Sequence, residues 1–421
     1  GGFFPGQVGL VGLVLSLVLV GRITLARRPF EGVSPALALG FGALAGLAVW
    51  TQLSALWSDA PARALTEFDR TLLYGLVFVL TGSAVARVGD LASVLRWTAA
   101  ALAAIALAGL LTRLLPETFP ISAGFLPERV SFPLTYWNAM GIACALGVLL
   151  TVHLTASGVE PAAVRVVAAA LVAPIAVTLY LTFSRGAIWV LPLGFVLYVL
   201  LAQPRGLLTG LPAAGIPAAI AVKVAYGADL LARADYDASA AAAAQGRDVA
   251  LVVLACALAA AALRAAALPL DRKLHAVDID PEHKRFLRLA LSGGLVLALL
   301  LGALAADAPR RIADARATFA EGRYMDYSAD LRTRLTSAVD NGRIDNWRVA
   351  LDSARDNLFK GTGAGTYRLI WDRERPPPPV KVNDGHSLYL ETLSELGVVG
   401  LALVAIALGT ILAGALVRLG G

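Results

Sequence analysis

AAVRVVAAALVAPIAVTLYLTFSRGAIWVLPLGFVLYVLLA, residues 162–202, decides the fold. It holds two apolar runs, 162–183 and 187–202, parted only by Ser184-Arg185-Gly186. An apolar helix of about 20 residues crosses about 30 Å of hydrocarbon, so each run approaches the length of a membrane span. Neither run alternates polar with apolar positions as a barrel strand would. In lipid the backbone must satisfy its own hydrogen bonds, which a continuous apolar run does as a helix. The segment therefore predicts a helical hairpin with an arginine at its tip.

The pattern recurs on both sides. Spans are expected near 7–25, 34–56, 69–86, 92–114, 134–155, 162–183, 187–202, 207–230, 247–268, 286–306 and 387–417. Composition agrees: 58% of the residues are hydrophobic and only 16% charged, with a mean hydropathy of +0.71. Ordinary soluble domains carry about 45–50% apolar and about 25% charged residues. The expected fold class is an all-α polytopic membrane protein with about eleven transmembrane helices. The chain opens Gly1-Gly2-Phe3-Phe4-Pro5 without an initiator Met or a signal peptide, so one more span ahead of it is expected. Three regions follow: a helical bundle over 1–306, an extracytoplasmic helical loop over 307–386 and a last transmembrane helix over 387–421.

The net charge of +6 is not a nucleic-acid footprint, because Lys and Arg of membrane proteins collect in cytoplasmic loops. Arg22, Arg27 and Arg28 follow the first span, and Arg264, Arg272, Lys273, Lys284 and Arg285 flank the ninth-to-tenth connection. Both connections are assigned to the cytoplasm. Alternation then puts 57–69, 115–133, 184–186, 231–246 and 307–386 outside. Cys144 and Cys256 fall inside apolar segments and read as packing residues, not a disulfide or metal framework.

The outer loop begins as an amphipathic helix with sparse apolar positions at Phe319, Leu331, Leu335 and Val339. Asn341-Gly342 breaks it, and a second helix is expected from Arg343 to about Leu358. Lys360-Gly361-Thr362-Gly363-Ala364-Gly365 lacks the Walker spacing and a parallel-sheet context, so it reads as a tight turn, not a phosphate cradle. Pro376 to Pro379 predicts a polyproline II strut.

Of the four histidines, only His386 is expected at the outer surface. An imidazole there can take a proton from a sugar hydroxyl, or merely cap a helix. Arg185 can snorkel to the headgroups or grip a phosphate with its fork. Arg343 and Arg348 frame Trp347; they can pair with Asp345 and Asp352 on their own helix or face a ligand. Lys223, inside an apolar span, is read as snorkelling to the outer interface. The outer loop carries no Asp-x-Asp pair and no histidine cluster at ligand spacing, so no metal site and no cofactor are expected.

Several pieces together resemble the O-antigen ligase and O-antigen polymerase superfamily of bacterial envelope enzymes. Trp57-Ser58-Asp59 with Arg70 and Tyr74 is similar to the family's first outer loop. Tyr136-Trp137-Asn138-Ala139-Met140-Gly141 resembles its Asn-x-x-Gly helix start, and Thr182-Phe183-Ser184-Arg185-Gly186-Ala187 its Ser-Arg-Gly turn. Arg343-x-x-x-Trp347 leading to Gly361-x-Gly363-x-Gly365 resembles the large-loop helix and glycine turn. His386 with Leu390, Glu395-Leu396-Gly397 and Gly400-Leu401 resembles the His-Asn-x-x-Leu exit, with Ser387 in place of the usual Asn.

The resemblance implies a membrane glycosyltransferase of the inner membrane, with its active site facing outside. It implies His386 as the base on the acceptor hydroxyl and Arg185 and Arg343 on the donor diphosphate; Arg348 and Arg70 are further candidate donor contacts. Asn138, Trp137, Tyr389 and Trp347 would line the substrate pocket, and Trp137, Tyr367, Trp371 and Tyr389 offer ring faces to sugars. The partners implied are a polyprenyl-diphosphate-linked glycan donor, a glycan, lipid or protein acceptor and the membrane lipids, with no nucleic acid. A protein O-oligosaccharyltransferase of the same fold is the near alternative. A transporter is the distant one; it would want polar or broken helices at the bilayer midplane and often an internal repeat.

Overall fold

The structure is a computed structural model that describes residues 5–30, 33–84, 88–121, 128–202, 205–276, 294, 308–320, 330–337, 339–377 and 381–420. Among the described residues the regular elements are all helices, with no strand and one isolated bridge between Arg233 and Asp330. The helices are α1 Pro5–Leu25, α2 Pro35–Leu53, α3 Pro61–Ala84, α4 Val88–Leu114, α5 Trp137–Ala156, α6 Ala162–Leu181 and α7 Arg185–Ala202. Then come α8 Leu207–Tyr226, α9 Ala240–Ala276, α10 Ala308–Ala320, α11 Thr333–Thr336, α12 Arg343–Asp356, α13 Tyr367–Glu374 and α14 Leu388–Gly420.

Nine helices among the described residues are long and apolar enough to cross a membrane. They correspond to nine of the expected spans, and the protein is an all-α polytopic membrane protein. The third expected span is the exception. Its helix, α3, begins earlier, at Pro61, and its first half carries Arg63, Glu67, Asp69 and Arg70, which leaves it amphipathic. The expected span 286–306 lies outside the described residues, as does part of the expected strut at Pro376–Pro379. Helix α9 is longer than its span, 37 residues, or about 55 Å at 1.5 Å per residue.

Local sequence explains where helices start and stop. Ser34 caps α2 by accepting the Leu37 N–H at 3.2 Å, and Pro35 stands at the first helical position. Pro174, Pro192, Pro212 and Pro217 lie inside α6, α7 and α8; membrane helices tolerate them where neighbours repair the lost hydrogen bonds. Helix α14 contains a real break: Gly397 has φ 65° and ψ −166°. An added Cβ there would stand 2.2 Å from the Phe359 carbonyl oxygen.

The chain forms two compact units. The first comprises Gly1–Leu91, Ala315–Met325 and Ala338–Gly421; the second comprises Ala92–Asp314 and Asp326–Ser337. In the first, α2 packs on α14 through small residues. A Cβ on Gly40 would lie 2.5 Å from Thr410 Oγ1, and one on Gly46 3.3 Å from Leu403. Such close approach is how helices associate in lipid, where apolar burial gives no drive.

In the second unit the core is built from α5, α6, α8 and α9 and is rich in buried alanine. It also holds a buried ion cluster. Arg165 on α6 and Arg264 on α9 both bond Asp271, which in turn accepts from Thr209 on α8. Arg264 and Asp271 are 0% and 1% exposed. Three helices are thereby tied by charges that would be costly if unpaired. Cys144 and Cys256 are unbridged and buried, as packing residues should be.

Candidate active site

In the first unit, the site is built from the end of the large loop. Helix α12 starts at Arg343, directly after a left-handed Gly342, and Asp340 Oδ2 accepts the Ile344 N–H at 3.1 Å. The helix start and approximate length match the sequence expectation. Arg343 opens it, half-buried. Trp347 follows one turn later and stacks on Phe319 at 6.0 Å. Arg348 is exposed and pairs with Asp345 at 3.4 Å, so the ion pair within its own helix exists.

The glycine run is a strap. Gly361, Gly363 and Gly365 all have left-handed φ values, which glycine adopts at no steric cost. Their amides are occupied. Gly361 N–H bonds the Asn357 carbonyl at 2.8 Å, and Gly363 N–H the Glu395 carbonyl at 2.8 Å. Ala364 N–H bonds Ser54 Oγ at 3.0 Å. Glu395 then uses its two carboxyl oxygens on Gly365 N–H (2.9 Å) and Tyr367 N–H (2.8 Å). The amides from Gly361 to Gly365 are thus all taken, Thr362 N–H by the Ser394 carbonyl at 3.1 Å, and the run is a tight turn. The strap runs along the break at Gly397, where Val398 N–H bonds the Leu358 carbonyl at 2.9 Å.

Tyr367 and Trp371, expected as ring faces for sugars, are corrected here. They are 1% and 0% exposed and form a small core with Val349, Ala350, Ile370 and Val382. The helical spacing that put them on α13 aims them inward. Tyr389, by contrast, is exposed.

His386 sits at the entrance of α14, exposed, with a left-handed φ of 51°. Two carboxylates hold its loop. Glu391 accepts the Gly385 N–H at 2.9 Å. Asp384 Oδ1 lies 2.7 Å from His386 Nδ1 and 3.3 Å from its backbone N. The hydrogen bond from His386 holds the Asp384 carboxyl below the usual carboxylate range, against the opposing effect of burial. With Nδ1 donating to Asp384, the lone pair stands on Nε2. Ser387 caps α14 loosely, accepting the Leu390 N–H at 3.5 Å. Orientation of the imidazole therefore rests with Asp384 and not with the residue after the histidine.

Arg70 lies on α3, with Nη1 2.5 Å from Glu67 Oε1. Both line a cavity with Glu391 and Glu395.

In the second unit, two motifs 46 residues apart meet. Ser184 Oγ donates to Asn138 Oδ1 at 2.8 Å, and Asn138 Nδ2 donates to the Tyr136 hydroxyl at 2.6 Å. A Cβ on Gly141 would stand 2.8 Å from Ala187 Cβ and 2.9 Å from Ser184 Cβ. The Asn-x-x-Gly start of α5 is thus shaped to seat the Ser-Arg-Gly turn. Arg185 begins α7 and donates through Nη1 to the Ser337 carbonyl.

Sequence reading missed Arg129. It is buried, donates to the Thr182 and Phe183 carbonyls at 2.7 and 2.8 Å, and lies 4.5 Å over the Trp137 ring. One face of Trp137 is therefore taken by a guanidinium. Nothing local marked Arg129; the carbonyls it bonds are more than 50 residues away. Asp384 and Glu391 were legible only as neighbours of His386. Arg185, Asn138 and Trp137 belong to the second unit, and His386, Arg343, Arg348, Arg70, Trp347 and Tyr389 to the first.

No curated protein and no solved structure matches the chain. Residues 238–405 match a family model described as O-antigen ligase. The matched segment carries the glycine strap and the Asp384–His386 pair, and over it the chain is similar to that family.

Proposed function

We propose that the protein moves a glycan from a polyprenyl-diphosphate donor to an acceptor hydroxyl at the outer face of a bacterial cytoplasmic membrane. The observation that carries this reading is the 2.7 Å pair between Asp384 and His386, inside the segment that matches the ligase family. A histidine fixed by a carboxylate, with Nε2 able to accept, is what a base on a hydroxyl requires.

The acceptor oxygen attacks the anomeric carbon with inversion, and its proton passes to His386 Nε2. The bond between that carbon and the phosphate oxygen breaks, and polyprenyl diphosphate leaves. Arg343 and Arg348 of the first unit are the arginines offered to the diphosphate, where negative charge develops, and the family resemblance proposes Arg185 for the same role. No metal is needed in this scheme. Trp347 and Tyr389 of the first unit are the proposed sugar contacts, and the family resemblance adds Trp137 and Asn138 to them.

The test is release of polyprenyl diphosphate by purified protein given a polyprenyl-diphosphate glycan and candidate acceptors, with EDTA present. Release by wild type and none by His386→Ala is the expected result. Undiminished release by His386→Ala removes the histidine as base, and release that needs an added divalent ion removes the metal-free scheme.

A further inference from the structure

The first unit encloses a cavity of about 390 Å³ among α2, α3 and α14. Its two halves differ in chemistry. Leu44, Leu47, Val404 and Leu408 form an apolar floor, and Thr51, Glu67, Arg70, Glu391, Thr392 and Glu395 form a polar wall.

Three observations restrict what it holds. Thr51 and Thr392 are 1% and 8% exposed and line the cavity, so each brings a hydroxyl-bearing side chain to its wall. Hydroxyls at a cavity wall can hydrogen-bond an occupant that carries donors and acceptors of its own. The wall also carries three carboxyl groups against one guanidinium, and that guanidinium is already on Glu67 at 2.5 Å. Ionised, such a wall repels a phosphate; protonated, it pairs with hydroxyls. In neither state does it offer the cationic fork that a diphosphate requires. The apolar floor, finally, matches a hydrocarbon chain. Pockets of this size hold one small ligand, with a few polar groups fixing its orientation.

We propose that this cavity binds an uncharged, hydroxyl-bearing, single-chain amphiphile, and that Arg70 serves this site and not the diphosphate. The hydroxyl head meets Thr51, Thr392 and Glu391, and the chain lies along the leucine floor. Glu391 also holds the Gly385 N–H, so an occupant touches a group that supports the loop of His386.

The experiment uses the purified full chain in nanodiscs, titrated with 1-oleoylglycerol and, separately, with 1-oleoyl-lysophosphatidic acid. The two probes share a chain and differ by a phosphate. The glycerol probe is expected to bind saturably, at least tenfold more tightly than the phosphate. Thr51→Val with Thr392→Val, which keeps the side-chain shape, should weaken it about tenfold. Equal or tighter binding of the phosphate, or saturable binding of neither probe, overturns the proposal on the wild-type chain alone. Unchanged affinity in a folded double variant overturns the role of the two hydroxyls. His386→Ala should bind the glycerol probe as wild type does, which separates this proposal from the catalytic reading.

Discussion

Ser184 Oγ donates to Asn138 Oδ1 at 2.8 Å, and this bond fixes the turn that carries Arg185 against the start of α5. Ser184 is buried, so losing its acceptor leaves a hydroxyl without a partner. Asn138→Ala should cost about 1–3 kcal/mol, read as a lower unfolding temperature in detergent. Asn138→Asp keeps an acceptor oxygen at that place and should lose less. Equal losses in the two variants would show that the bond itself does not hold the turn.

The Asp384–His386 pair predicts both rate and pH behaviour. General-base catalysis contributes about 10²–10⁴-fold, so His386→Ala should lose that much turnover with donor binding retained. Asp384→Asn keeps an acceptor beside Nδ1 but removes the charge, and should fall between the two. The folded Asp384 carboxyl titrates below its ordinary range. Its stabilising contribution is therefore fully present above the unfolded carboxylate value and is lost as pH falls through the depressed folded value. Stability of wild type should drop more steeply than that of Asp384→Asn over that acid interval. Superimposable stability–pH curves would remove the pair as a stabilising contact.

Arg185 joins α7 to the Ser337 carbonyl. In the proposed reaction it also faces the leaving diphosphate. Removing one donor to developing negative charge costs about 10²–10³-fold in kcat, the loss expected for Arg185→Ala. Lysine is a point charge without a fork, so Arg185→Lys should recover only part of it. Wild-type turnover in Arg185→Lys would leave the arginine as a residue that merely snorkels.

Asp271 pairs with both Arg165 and Arg264 in the second unit. Asp271→Ala strands two buried guanidinium groups and should destabilise the fold by about 3–5 kcal/mol. The prediction is checked by unfolding in detergent. Adding Arg264→Leu to it should regain stability, because the more deeply buried stranded charge is then gone.

Arg129 shows why part of the site could not be read from the chain. Its acceptors are the carbonyls of Thr182 and Phe183 and its stacking partner is Trp137. None of these is implied by the residues around 129. Tyr367 and Trp371 fail in the opposite sense. Their aromatic character and loop position suggested a surface for sugars, and packing with Val349 and Ile370 buried them instead. Amphipathic α3 fell between categories, because its apolar second half reads as a span while its charged first half lines a cavity.

The sequence by itself determined the membrane class, the places of nine spanning helices, the break before Arg343, the tight glycine turn and the family resemblance. Each of these depends on hydrophobic run length, local backbone preference or residue order, which are properties of short windows of chain. Only the tertiary structure decided that Asp384 orients His386, that Asn138 seats the Ser184 turn, and that Arg70 answers to Glu67 beside a carboxyl-rich cavity. Those choices depend on hydrogen bonds and burial between side chains whose distances are set by packing, and no local window of sequence contains them.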